Sequence, residues 1–337
     1  MAQYSDIVKH IRCPITKFNL VLSNDGCSTV DGRISYPFID GILCLLPSVA
    51  SFNDSRVSSI DGTTDSVRSF YDKIGWQEDE EGNFEDALRF EDLRPVSADY
   101  IKNCHLRVRD AIEPSGHFLL DVASGPVQYD DYLMYHEGYQ QRVCVDISIS
   151  ALKAARAKLG RKGVYILGDI TELPFKDEVF DAVVSLHTIY HVPFERQPLA
   201  FEEIHRTLKV GRTAVVVYSW GEHSVFRIFP RIPWRAVSSL RNRLSILLRG
   251  RYIGEGSADT SQVLYSYQAG PKWFLRQNWP FSFELKPWRS VDVELMKAVI
   301  KPWACGRLLL KVLFAIENRF PEKIALLGQY PLIKIRK

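Results

Sequence analysis

Residues 117–127 read His-Phe-Leu-Leu-Asp-Val-Ala-Ser-Gly-Pro-Val: an apolar strand that runs through Asp121 into a turn of small residues, Ala123-Ser124-Gly125-Pro126. Such a strand-to-turn step, with a helix to follow, presents backbone N–H groups to an anionic ligand group, and small residues let that ligand approach closely. The turn has only Gly125 of the G-x-G-x-x-G dinucleotide fingerprint, so by itself it also fits an ordinary tight βα turn. Working outward, a second apolar strand at 142–145 ends in Asp146-Ile147, and a third at 164–167 delivers Gly168-Asp169-Ile170. Each acidic or glycine-bearing turn follows the carboxyl end of a strand. Ligands of open parallel sheets sit in the crevice outside those ends.

The alternation continues on both sides. A helix over 97–112 precedes the first strand, with Tyr100, Ile101, Cys104, Val108 and Ile112 at helical spacing. Short helices over 130–138 and 148–159 follow strands one and two, the second N-capped by Ser148 or Ser150. Strand four is read at 180–185, a helix at 198–208 ending on a Gly211 C-cap, and strand five at 213–218. Strands at 281–285 and 332–335 flank a helical stretch from 291 to 320. Strands apolar on both faces, alternating with helices, imply a mostly parallel sheet covered on each side.

Asp146 stands at the depth where a carboxylate accepts the hydroxyls of a ribose, and where it would repel a 2′-phosphate. Asp169 is placed to meet an adenine amino group, with Ile170 packing on the ring. Together with Glu203-Ile204-His205-Arg206-Thr207-Leu208-Lys209-Val210-Gly211, these motifs resemble the class I S-adenosylmethionine-dependent methyltransferases, particularly the ubiquinone and menaquinone branch. The resemblance covers roughly residues 67–220. It implies an α/β, Rossmann-like, doubly wound and mostly parallel seven-stranded sheet, with an inserted lid after strand five at about 221–280. It also implies S-adenosyl-L-methionine as cofactor: Asp121, Ala123 and Gly125 beside its methionine part, Asp146 and Ile147 at the ribose, Asp169 and Ile170 at the adenine. Tyr71, in Ser69-Phe70-Tyr71-Asp72, resembles a segment that folds over the cofactor. Ala123 and Val127 depart from the family by standing where glycines are common; alanine is a common variant there, and Val127 makes a wider turn possible.

Methyl transfer requires an acceptor held in line with the methyl group and, for an alcohol or amine, a proton acceptor. Strand four runs into Ser185-Leu186-His187-Thr188-Ile189-Tyr190-His191 above that place. His187 and His191, four apart and able to share a helical face, are candidate bases with a pKa suited to neutral pH; Tyr190 is a weaker candidate. No N-P-P-[YF] amine-methylating motif follows strand four, which counts against adenine or amide acceptors.

The amino-terminal stretch 1–47 reads as a β-rich unit with strands near 20–22, 28–30 and 34–36 and turns at Asn24-Asp25-Gly26 and Asp31-Gly32. Its end, Ser35 to Leu46, resembles Trm112-like zinc-ribbon modules. A structural zinc needs four ligands, commonly with a C-x₂-C knuckle; here Cys13-Pro14-Ile15-Thr16 has lost its second cysteine and Asp31 replaces a fourth ligand, so no metal is expected. Residues 48–66, rich in Ser, Thr, Asp and Gly, read as a linker, leaving 67–337 as the methyltransferase domain.

The 337 residues carry a formal charge of +3, too little to imply nucleic acid by itself, and six scattered cysteines form no disulfide framework. No signal peptide is evident at the amino terminus and no apolar run approaches the roughly 20 residues of a membrane span, which points to a soluble, cytoplasmic protein. Between 226 and 252 seven arginines interleave with apolar residues and no acidic one. This lid could recognise an acidic substrate, lie on a membrane surface or bind RNA. The favoured reading is methylation of a small molecule, acidic or lipophilic, at O, S, N or activated carbon. An rRNA or tRNA base methyltransferase using the ribbon and the arginines, and a non-catalytic partner that keeps the fold, are the alternatives.

Overall fold

The computed structural model describes residues 2–52, 76, 84–227 and 265–337. Five strands build the centre: β6 (Gly116–Val122), β7 (Tyr139–Asp146), β8 (Gly163–Leu167), β9 (Phe180–Leu186) and β10 (Leu208–Val217). All their pairings are parallel, in the order β8-β7-β6-β9-β10. The reversal of direction around β6 opens the crevice at its carboxyl end. β12 (Tyr330–Arg336) pairs antiparallel with β10, and β11 (Ser282–Arg289) antiparallel with β12, completing seven strands.

The sheet does not stop there. Beyond β8 it continues through β4 (Ile42–Cys44), β3 (Ile34–Ile39), β2 (Gly26–Thr29) and β1 (Leu20–Leu22), with β5 (Ser51–Phe52) on β3, to twelve strands among the described residues. β4 lies parallel to β8, Leu43 opposite Ile166 and Cys44 opposite Leu167. The amino-terminal unit is therefore joined to the central sheet through backbone hydrogen bonds and shares its core: Tyr4, Ile7 and Ile11 cluster with Phe118, Val164 and Phe175. The Tyr4 hydroxyl donates to the Tyr165 carbonyl at 2.7 Å. Of the stretch read as a linker, Ser51 and Phe52 are paired into the sheet, while residues 53–66 lie outside the described residues.

Alternation along the strands builds two cores. Phe118, Leu120 and Val122 of β6, with Ala214 and Val216 of β10, face one side. Leu119, Val215 and Val217 face the other. Both faces are buried under helices, which is why these strands read as unbroken apolar runs. The covering helices are α1 (Glu85–Phe90), α2 (Ala98–Arg109), α3 (Ile149–Leu159), α4 (Gln197–Thr207), α5 (Pro271–Arg276), α6 (Val293–Val299), α7 (Gly306–Arg319) and α8 (Pro321–Leu327). Ser148 caps α3, its hydroxyl accepting from Ala151 N at 3.2 Å.

Three local expectations are corrected. Gly211 is not a helix cap: α4 ends at Thr207 and Gly211 sits within β10, at φ +75°, where the register with β9 shifts. The helical stretch 291–320 is broken at Pro302, so α6 and α7 are separated by a 3₁₀ turn and by Cys305 in a left-handed conformation. Residues 130–136 form a 3₁₀ rather than an α-helix.

Candidate active site

The turn after β6 is held in a conformation that favours glycine. Ala123, Gly125 and Val127 all have positive φ, at 53°, 55° and 54°. At Ala123 and Val127 that conformation strains the backbone, at roughly 1 kcal/mol or more for each L-residue. Burial compensates at Val127, whose side chain is fully enclosed in the core. Asp146, at the end of β7, fixes the turn from the side: one carboxylate oxygen accepts from Gly125 N at 2.8 Å, the other from Ser148 N at 2.8 Å. A methyl group placed on Gly125 would come within 3.1 Å of the Trp76 ring, so Trp76 lies directly over the turn.

Asp121 also lines the crevice, and one of its carboxylate oxygens is engaged. Arg142 of β7 donates to it from Nε at 3.0 Å and from Nη2 at 2.5 Å, with both side chains buried. Asp121 thus anchors a buried ion pair behind the turn.

On the far side of Asp146 a small hollow of about 50 Å³ is walled by Ile147, Gly168, Asp169, Ile170 and Arg196. Asp169 is oriented by Thr171, whose backbone N–H and hydroxyl donate to one oxygen at 2.8 and 2.9 Å; the other oxygen faces Arg196 at 3.4 Å. Ala123, Asp146, Ile147 and Thr188 are shared with a larger cavity of about 460 Å³, giving one crevice with two lobes. Tyr71 and the arginines from Arg231 to Arg251 lie outside the described residues. Arg227, the first of that series, is ion-paired to Glu222 at 3.2 Å and approaches Asp292 at 3.8 Å.

His187, Tyr190 and His191 all reach the larger lobe. The two histidines do not share a helical face. His187 follows the end of β9 in a left-handed conformation, φ 58°, and His191 closes a single 3₁₀ turn. Nor do they have the expected near-neutral pKa. Burial, with the Arg289 charge nearby, pushes His187 down to about 3, and burial pushes His191 down to about 4. His191 Nδ1 donates to the Tyr265 carbonyl at 2.8 Å, which places its lone pair on Nε2. The His187 ring meets Trp288 edge-on at 4.5 Å and Tyr330 at 5.3 Å.

The floor of this lobe is a set of residues that no sequence motif placed in the site. Trp288 and Arg289 end β11, Tyr330 begins β12, and the Arg289 guanidinium lies over both rings at 5.0 and 4.9 Å. Arg289 is buried and ion-paired with Glu91. Burial alone would raise the Glu91 carboxyl, but Arg289 and His105 hold it down to about 2. His105 in turn contacts Asp131 at 3.1 Å. Burial pushes Asp86, on α1, up to about 6. No sequence period marks these residues, because they converge from α1, α2 and the last two strands.

Among the described residues no three His, Cys, Asp or Glu side chains come together as a metal site, and no helix is long and apolar enough to cross a membrane.

The sequence profile of the family described as "Methyltransferase domain" matches residues 120–216. Demethylmenaquinone methyltransferase of Renibacterium salmoninarum is 30% identical over 170 residues, 47% of this chain and 70% of that protein. Its counterpart in Roseiflexus sp. is 32% identical over 107 residues, 31% of this chain and 43% of that protein. This chain spans less than half the length of several other curated relatives it matches. The solved N-methyltransferase NodS of Bradyrhizobium japonicum, in complex with S-adenosyl-L-homocysteine, has 14% identity and a TM-score of 0.36 over 47% of this chain and 74% of its own. With its central strand order, its carboxylate-fixed turn and 30% identity across most of a family member, the chain belongs to the class I S-adenosylmethionine-dependent methyltransferases.

Proposed function

We propose that the protein transfers a methyl group from S-adenosylmethionine to a small aromatic, lipophilic acceptor. The observation that carries this reading is the two-lobed crevice, with Asp146 at its waist. The residues present suit the cofactor: a close-approach turn at Ala123–Gly125, a carboxylate at ribose depth, and an apolar slot with Asp169 at its edge. In this reading Asp146 takes the ribose hydroxyls, with Ile147 beside them. Asp169 and Ile170 hold the adenine, and the turn under Trp76 lies against the methionine part. When bound, the cofactor supplies an electrophilic methyl group on a sulfonium.

The larger lobe is suited to a flat acceptor. Trp288, Tyr330 and the His187 ring meet edge to face there, with the Arg289 guanidinium over the first two rings, and offer an aromatic wall to a planar ligand. The two neutral histidines position the acceptor through their ring nitrogens, with the low proton affinity that burial gives them. Asp86, on the cavity wall, is a carboxyl that burial pushes up to about 6, and it receives the proton of a hydroxyl acceptor. Named relatives that methylate demethylmenaquinone support an aromatic acceptor.

Residues 1–47 are, in the same reading, a metal-free counterpart of Trm112-like ribbons, followed by a linker to 66 and the methyltransferase domain from 67. The Cys13 thiol sits 3.2 Å from the Tyr36 hydroxyl and accepts from Thr16 N at 3.4 Å, so an aromatic side chain occupies the inside of the knuckle.

Incubation with methyl-labelled S-adenosylmethionine and a panel of phenols, reduced quinones, thiols and extracted RNA tests the proposal. Label in the phenol or quinol fraction is expected. Label confined to RNA or thiols would contradict it.

A further inference from the structure

α7 is clamped to the body by one face and leaves a second apolar face uncovered. Its buried side carries Leu310 and Glu317; Glu317 accepts from Tyr100 at 2.7 Å and from Ser290 N at 2.9 Å, and pairs with Arg107 at 2.9 Å. These contacts fix the rotation of the helix, so its opposite stripe cannot turn inward. That stripe is Leu308, Leu309, Val312, Ile316 and Phe320, all exposed, with Leu308 at 60%. Just before the helix, the side chain of Trp303 stands 85% exposed. Contiguous exposed apolar surface of this kind marks an interaction site.

The charge around the stripe says what kind. Residues 297–323 contain six basic side chains (Lys297, Lys301, Arg307, Lys311, Arg319 and Lys323) against two acidic ones, Glu317 and Glu322, and Glu317 is neutralised from within by Arg107. Arg307 and Lys311 border the stripe along one edge at helical spacing. An apolar stripe about 18 Å long, a tryptophan at its end and a basic border are the features of a helix that lies in the plane of an anionic membrane surface.

We propose that α7, with Trp303 and Phe320, docks the protein on bilayers of anionic phospholipid. This docking stands apart from the methyl-transfer reading, and its failure would leave that reading intact. It also places the crevice usefully. α6 begins at Asp292 and Val293 on the cavity wall and ends at the exposed Val299, directly ahead of Trp303. α6 therefore links the cavity wall to the docking face.

The test is co-sedimentation of the full chain with phosphatidylcholine vesicles with and without phosphatidylglycerol. The comparison protein is the double variant Leu308→Glu with Val312→Glu, both exposed positions, its fold checked by thermal melting. Binding to the phosphatidylglycerol vesicles that weakens with salt and falls at least about tenfold in the double variant is the expected result. Absence of vesicle binding, or equal binding by the folded double variant, would overturn the proposal. So would a wild-type dimer that the variant splits without any vesicle binding, since the face would then serve a second copy of the chain.

Discussion

The carboxylate of Asp146 accepts a hydrogen bond from the backbone N–H of Gly125 at 2.8 Å, tying the end of one strand to the turn after its neighbour. The same side chain thus shapes the turn and faces the crevice. Asp146→Ala is expected to weaken S-adenosylmethionine binding by about 2 kcal/mol or more, roughly 30-fold in Kd, and also to lower the melting temperature, because the buried N–H groups of Gly125 and Ser148 lose their acceptor. Calorimetric titration checks the first and a thermal scan the second.

The positive φ at Ala123 makes a less intuitive prediction. Ala123→Gly removes a strain of roughly 1–2 kcal/mol and gives back about 0.5–1 kcal/mol in unfolded-chain entropy, so it should be neutral or slightly stabilising in a denaturant titration. Gly125→Ala should do the reverse and also weaken cofactor binding, because φ is +55° and the added methyl meets Trp76. A stabilising Gly125→Ala would be incompatible with this geometry.

The Glu91–Arg289 pair under the cavity is a stability element with a pH signature. Its carboxyl is held down to about 2, so its contribution is fully present above the ordinary glutamate range and is lost as pH falls from about 5 towards 2. Glu91→Ala leaves Arg289 buried without a countercharge and should cost about 3–5 kcal/mol; replacing both by apolar residues should recover much of that. Urea titrations at pH 7 and pH 3 measure both effects, and the difference between wild type and variant should shrink at the lower pH.

For catalysis, neither histidine titrates near neutrality. The acidic limb of the rate profile is expected near pH 6, to vanish in Asp86→Asn and to stay in place in His187→Asn and His191→Asn, both of which lower the rate. A limb that moves with either histidine would identify it as the base instead.

The central sheet was legible because fully buried parallel strands leave continuous apolar runs, and because Asp121, Asp146 and Asp169 each close one of them. The distinction between Asp121 and Asp146 was not legible: both end strands, yet Arg142 faces only the former, and that depends on pairing across the sheet. The same is true of the acceptor lobe. Glu91, His105, Arg289 and Tyr330 meet through tertiary packing over separations of up to 239 positions, and no local pattern encodes that meeting. The sequence sets His187 and His191 beside the crevice with an ordinary proton affinity, and burial, a property of the folded surroundings, lowers it. The exposed stripe of α7 carries the same leucine spacing as a core helix; only the clamp at Glu317 shows which face is left outside.

The most direct measurement is calorimetric titration of the wild-type chain with S-adenosylmethionine, with NAD as a control. A single site with a dissociation constant on the order of micromolar, no heat with NAD, and loss of the site in Asp146→Ala is the expected result. No binding of S-adenosylmethionine by the folded wild type, or preferential binding of NAD, would contradict the assignment of the crevice.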